Sequence, residues 1–194
     1  MKRRILIISI VLSACMASFV QAQGQVSFFE EHIDFTLDST FFIINGIYSF
    51  RNETNRSINE HIVFPFAGKT TGIDSIRIVN LNTLTKVPFT LGESSVSFEF
   101  SLLPNDTVDL NIFYRQQAAT KNTYIITSTQ TWGKPLETAV YSLTTPSDLF
   151  IKSLTYTPDS ITENQGKRVF RWEKHQFKPE KEFEIVVGKT VTNK

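Results

Sequence analysis

"HIDFTL", His32 to Leu37, sends Ile33, Phe35 and Leu37 to one side of an extended chain and His32, Asp34 and Thr36 to the other. A period of two residues marks a strand with one dry face and one wet face. The same pattern recurs along the chain. In "SINEHIVFPF" (Ser57 to Phe66), Ile58, Ile62, Phe64 and Phe66 share a parity. In "SVSFEFSL" (Ser95 to Leu102), Val96, Phe98 and Phe100 alternate with Ser97, Glu99 and Ser101, and in "VDLNIFY" (Val108 to Tyr114), Val108, Leu110 and Ile112 alternate with Asp109 and Asn111. No window of helical length carries a clean apolar stripe. The 17 phenylalanines, with many Val, Ile and Thr, favour strands.

Turn chemistry divides these runs at intervals of about ten residues. It lies in "RNETNRS" (Arg51 to Ser57), "AGKTTG" (Ala67 to Gly72), "LGESS" (Leu91 to Ser95), "LPNDT" (Leu103 to Thr107), "WGKP" (Trp132 to Pro135), "TPSD" (Thr145 to Asp148) and "ENQGK" (Glu163 to Lys167). The spacing predicts an all-β protein, an antiparallel β-sandwich of about twelve short strands. "QQAATKNT" (Gln116 to Thr123) is the most polar connection, and residues 116–123 are where the body would divide into two packed sandwich halves.

The N-terminus reads as an export signal. "MKRR" is a basic head, the apolar run Ile5 to Val20 is 16 residues long, and Val20 and Ala22 suit the −3 and −1 positions of a signal peptidase site. Residues 1–22 are thus expected to be removed, leaving a β-sandwich body over 23–194. "LSAC" (Leu12 to Cys15) also fits a lipobox, which would leave Cys15 lipidated; the apolar "MASFV" beyond it favours ordinary cleavage. Both readings put the body in the periplasm or at the cell surface, and a membrane is a partner only if Cys15 carries lipid. Cys15 is the single cysteine, so the body has no disulfide and no thiolate metal site. Without Lys2, Arg3 and Arg4, 17 basic residues face 19 acidic ones. That balance gives no basic face for nucleic acid.

Chemistry-bearing residues are sparse. His32 and His61 each follow a glutamate, but adjacent strand residues point to opposite faces, so each Glu-His pair offers one ligand at most. No metal site or cofactor is expected. No Gly-x-Ser-x-Gly elbow or glycine-rich phosphate loop is present, no catalytic residue is assigned, and Glu30, Glu31 and the acids of Glu180 to Glu184 read as solvated. Trp132 and Tyr124 are the candidate ligand-binding residues, as a platform for a sugar or peptide. The preferred reading has the Trp132 ring plugging one end of the core at a hairpin corner. Phe170 and Trp172 share a buried parity. Four of the seven aspartates precede Ser or Thr, at Asp38, Asp74, Asp106 and Asp159. Asp-Ser/Thr-aliphatic resembles the acceptor pattern of bacteroidete-type periplasmic O-glycosylation, and would make Ser39, Ser75, Thr107 and Ser160 the sites.

"YIITSTQTWGKPLETAVYSLTTP" (Tyr124 to Pro146) resembles a segment of a domain-of-unknown-function family of secreted Gram-negative proteins. Tyr124, Trp132, Gly133, Pro135 and Pro146 match, Leu136 replaces an isoleucine, and the turn glycine of the family falls on Thr129. "YSFRNETNRSINEHIVFPF" (Tyr48 to Phe66) resembles that family's strand pair and the opening of the inter-alpha-trypsin-inhibitor-type β domain. "FKPEKEFEIVV" (Phe177 to Val187) resembles its closing strand. The resemblance implies a secreted β-sandwich without known activity, a Tyr…Trp-Gly-x-Pro hairpin and a scaffold role for Trp132. The function expected is a non-enzymatic interaction or structural module of the bacterial cell envelope, which receives a protein or peptide at a sheet edge or end loop. The alternatives are a carbohydrate-binding module using Trp132 and Tyr124, and an unrecognised hydrolase.

Overall fold

Residues 25–188 are described in the computed structural model. They form β1 (Val26–Leu37), β2 (Phe41–Asn52), β3 (Ile58–Pro65), β4 (Ile73–Asn80), β5 (Thr85–Lys86), β6 (Phe89–Leu91), β7 (Ser95–Leu102), β8 (Thr107–Gln117), β9 (Lys121–Tyr124), β10 (Leu136–Pro146), β11 (Ile151–Leu154), β12 (Ser160–Asn164), β13 (Lys167–Phe177) and β14 (Phe183–Val187). Two short 3-10 helices, Thr70–Gly72 and Thr127–Trp132, complete the set. The expected signal segment with Cys15, and the tail beyond Gly188, lie outside the described residues.

The all-β sandwich takes the form of one long sheet and two short ones. The long sheet has the order β12-β13-β10-β1-β2-β8-β4-β5, and the short ones are β11-β14-β9 and β3-β7-β6. Alternation puts one row of side chains from neighbouring strands on a common face. Trp172, Tyr141, Ile33, Gly46, Ile112 and Ile78 stand side by side across six strands. Both short sheets cover that face. Phe183 of β14 packs on Trp172 and Tyr141, at 5.0 and 5.5 Å between ring centres. Phe64 of β3 meets Tyr48 at 5.5 Å, and Phe100 of β7 meets Phe50 at 5.0 Å. Burying these rings in one contiguous core supplies the driving force for the fold. Trp172 is 1% exposed and donates its indole N–H to the Tyr156 carbonyl at 3.0 Å, as the shared parity of Phe170 and Trp172 implied.

Three features depart from expectation. First, fourteen strands form, because pieces as short as β5 and β6 pair at the margins. Second, β1 and β10 are neighbours and run parallel, with Ile33 opposite Tyr141. A parallel pair needs a long crossover, and the whole of β2 to β9 provides it. Third, the Trp-Gly-Lys-Pro segment does not close a hairpin: β9 pairs with β14, while β10 lies in the long sheet. The Glu182 carboxylate accepts the backbone N–H groups of Ile126 and Thr127 at 2.8 and 3.2 Å, which winds the chain into the 3-10 helix at that point. Gly133, at φ +76°, ends the helix and turns the chain into the other sheet.

A fourth feature governs the site. The β1–β2 register slips between Phe28 and Glu30, leaving Phe29 as the extra residue of a β-bulge. Val26 and Phe28 before the bulge are buried, and so are Glu31, Ile33, Phe35 and Leu37 after it. The Phe29 ring is turned outward beneath the Arg51 guanidinium, 4.1 Å from its centre.

Candidate functional site

The two short sheets do not meet edge to edge over β1 and β2. Between them lies a cavity of about 480 Å³. Phe28 and Glu31 of β1 and Tyr48 and Phe50 of β2 line it from the long sheet, β3 forms one wall, and Tyr124 with the 3-10 helix Thr127–Trp132 forms the other. Both parities of β3 border it, Glu60, Ile62 and Phe64 together with His61 and Val63. A strand that lines a space with consecutive residues presents its edge to that space. Among the described residues β3 pairs only with β7, so alternate backbone N–H and C=O groups of β3 point away from that ladder. Among the described residues, no hydrogen bond outside that ladder reaches the backbone of 58–65.

Aromatic rings run continuously along the cavity. Trp132 lies 5.4 Å from Phe50 and 6.1 Å from Phe28, Phe28 and Phe50 stack at 5.1 Å, and Tyr48 bridges from Phe28 to Phe64. Polar groups sit within this frame. The Tyr48 and Tyr124 hydroxyls share a hydrogen bond of 2.9 Å. Tyr141 donates its hydroxyl to Glu31 Oε1. Glu31 is 1% exposed, and burial pushes its carboxyl up to about 7 against the pull of the Tyr141 hydrogen bond. Burial likewise holds the Tyr48, Tyr124 and Tyr141 hydroxyls well above the ordinary phenol range, so they stay neutral. Glu60, half-buried at the rim, is also raised by desolvation, and His61 opposes the shift. Among the described residues, no lysine or arginine lines the cavity.

Of the two candidate ligand residues, both border this cavity. They do not form a platform on the surface: Tyr124 is 2% exposed, whereas Trp132 is half-buried against Phe28 and Phe50. Glu31 is a correction. Its residue type and its place beside Glu30 imply a solvated acid, yet it lies on the apolar side of β1. The signal was present, because Glu31 shares the parity of Ile33, Phe35 and Leu37, just as Glu60 shares that of Ile58, Ile62 and Phe64. His32 is exposed beside Asp34 at 3.7 Å, and His175 is exposed beside Glu173 at 3.3 Å. No cluster of three or more metal-ligating side chains occurs among the described residues. Ser39, Ser75, Thr107 and Ser160 are all exposed, at the β1–β2 turn, the bulged part of β4 and the first residues of β8 and β12.

No protein-family model matches the chain, and no curated protein matches it. Solved structures do share its fold. A Legionella pneumophila protein assigned a nutrient-binding role matches with a TM-score of 0.68 at 13% identity, covering 85% of this chain and 67% of that one. An M1 zinc metallopeptidase from Deinococcus radiodurans matches with a TM-score of 0.54 at 11% identity, covering 84% of this chain and 42% of the enzyme. A Parabacteroides distasonis protein assigned as a protease matches with a TM-score of 0.51 at 9% identity, covering 87% and 41%. At such identities the likeness is one of fold. The chain spans about two thirds of the first protein and less than half of the other two.

Proposed function

We propose that the protein is an exported, non-enzymatic binding module of the bacterial cell envelope that takes an extended peptide segment into the cavity between the short sheets. The observation that carries this reading is the pairing of a free strand edge with an aromatic hollow. An incoming strand would satisfy the outward backbone groups of β3, and one or two of its side chains would enter the ring-lined space. The volume lies within the range of ligand sites. The nutrient-binding role assigned to the Legionella protein is compatible with this reading. The zinc peptidases suggest a different activity, but His32, His61 and His175 lie too far apart in sequence for a His-Glu-x-x-His motif.

Titration of isotope-labelled protein with an acetylated hexapeptide amide, followed by amide NMR, tests the proposal. Saturable shifts are expected in the backbone signals of 58–65 and the Trp132 indole. A second peptide methylated at alternate backbone nitrogens should lose the effect. Absence of shifts at β3, or equal binding of the methylated peptide, would reject strand addition.

A further inference from the structure

The wall chemistry of the cavity selects among ligands. Glu31 is buried and hydrogen-bonded through one carboxyl oxygen, Oε1, which accepts the Tyr141 hydroxyl. Its other oxygen has no hydrogen-bond partner among the described residues, nor does it belong to the sealed, unpaired polar atoms of the core, of which Ser27 Oγ is the one instance. Glu31 lines the cavity, which is where an oxygen neither paired nor sealed can reach a ligand. Glu60 adds a second carboxylate from β3. Around them stand the faces and edges of Phe28, Phe50, Phe64 and Trp132, whose π-systems attract cations. Among the described residues, His61 is the only imidazole in the lining, and no lysine or arginine lines it beside the acids.

We propose that this cavity is a receptor for an organic ammonium group, held by Glu31 and Glu60 within the aromatic frame. The assignment rests on the cavity being a binding site, as in the peptide reading, but not on the β3 edge being used. An ammonium supplies the donors that the open Glu31 oxygen lacks and matches the ring quadrupoles. An anion would meet Glu60 and, as pH rises past about 7, an ionised Glu31, with no lysine or arginine in the lining among the described residues. A neutral apolar group would leave the buried carboxyl unpaired. The ammonium can be a peptide amino terminus, a lysine side chain or a free amine, all of one chemistry.

The test uses three probes of similar size: phenethylamine, 2-phenylethanol and 3-phenylpropanoate. In a Trp172→Phe background, Trp132 becomes the sole tryptophan and reports occupancy by fluorescence. The amine should bind at least about tenfold tighter than the alcohol, and the acid should not saturate the signal. Glu31→Gln and, separately, Glu60→Gln should each erase most of that preference. Equal binding of amine and alcohol with Glu31 and Glu60 intact, or tighter binding of the acid, overturns the proposal whatever the glutamine variants do. Gly-Phe-Gly-amide and acetyl-Gly-Lys-Gly-amide, each compared with acetyl-Gly-Phe-Gly-amide, identify the source: the first gains if an amino terminus is read, the second if lysine is. If the uncharged hexapeptide shifts β3 while the amine has no advantage, the ammonium assignment fails and strand addition stands. If the amine binds but methylated and unmethylated peptides do not differ, strand addition fails and the ammonium site stands.

Discussion

Glu31 occupies a place where a carboxylate is costly. Its folded carboxyl titrates at about 7, against 4.5 in its ordinary state. The protonated form is therefore the one the fold prefers. The stability linked to this group is complete below the ordinary value, falls as pH rises toward 7, and stays flat above it. The total is on the order of 3 kcal/mol. Glu31→Gln keeps an acceptor for the Tyr141 hydroxyl and removes the titration. The variant should accordingly gain on the wild type by that order between pH 4.5 and pH 8, as measured by denaturant midpoints at each pH. An unchanged gap would mean that the Glu31 carboxyl is solvated. The position was legible in part. Continuing the alternation of "HIDFTL" back by two residues puts Glu31 with the apolar set, but residue type spoke for the surface, and only the bulge at Phe29 reconciles a buried Phe28 with a buried Glu31. The open oxygen and its aromatic surroundings depend on strands far apart in sequence, which no local pattern reveals.

At the level of elements, β2 shows how closely its packing is set. A Cβ on Gly46 would come within 2.6 Å of the Tyr48 ring and 2.7 Å of Ile33 Cδ1. Neither neighbour is a loose end, since Tyr48 is 4% exposed and bonded to Tyr124, and Ile33 is fully buried. Gly46→Ala should cost about 1–3 kcal/mol in a urea titration and displace the Tyr48 ring from the cavity, which would appear as a changed environment at Trp132. A neutral result would mean that the strand has room to shift. Alternation found the long strands because burial acts residue by residue along one face. It failed for the corner at Trp132, where Gly133 and Pro135 do reverse the chain, as their types imply, but toward another sheet. The partner of β9 is set by β14, and the winding of the 3-10 helix is set by Glu182, some 55 residues later than Thr127.

For the molecule as a whole, the decisive join is β1 beside β10. It ties strands from both sides of the 116–123 connection into one sheet, over one contiguous core. Calorimetry should therefore show a single cooperative transition, with calorimetric and van't Hoff enthalpies equal. Two separable transitions would mean that the halves are independent units. The join also sets an order of events. Phe35 waits for Leu143, the residue opposite it in the sheet, while 108 positions of chain go by (143 minus 35). A polypeptide delivered end-first, from a ribosome or through a narrow pore, would carry its earliest strand half-paired until the tenth arrived. Full pairing of that strand thus waits until most of the chain has emerged.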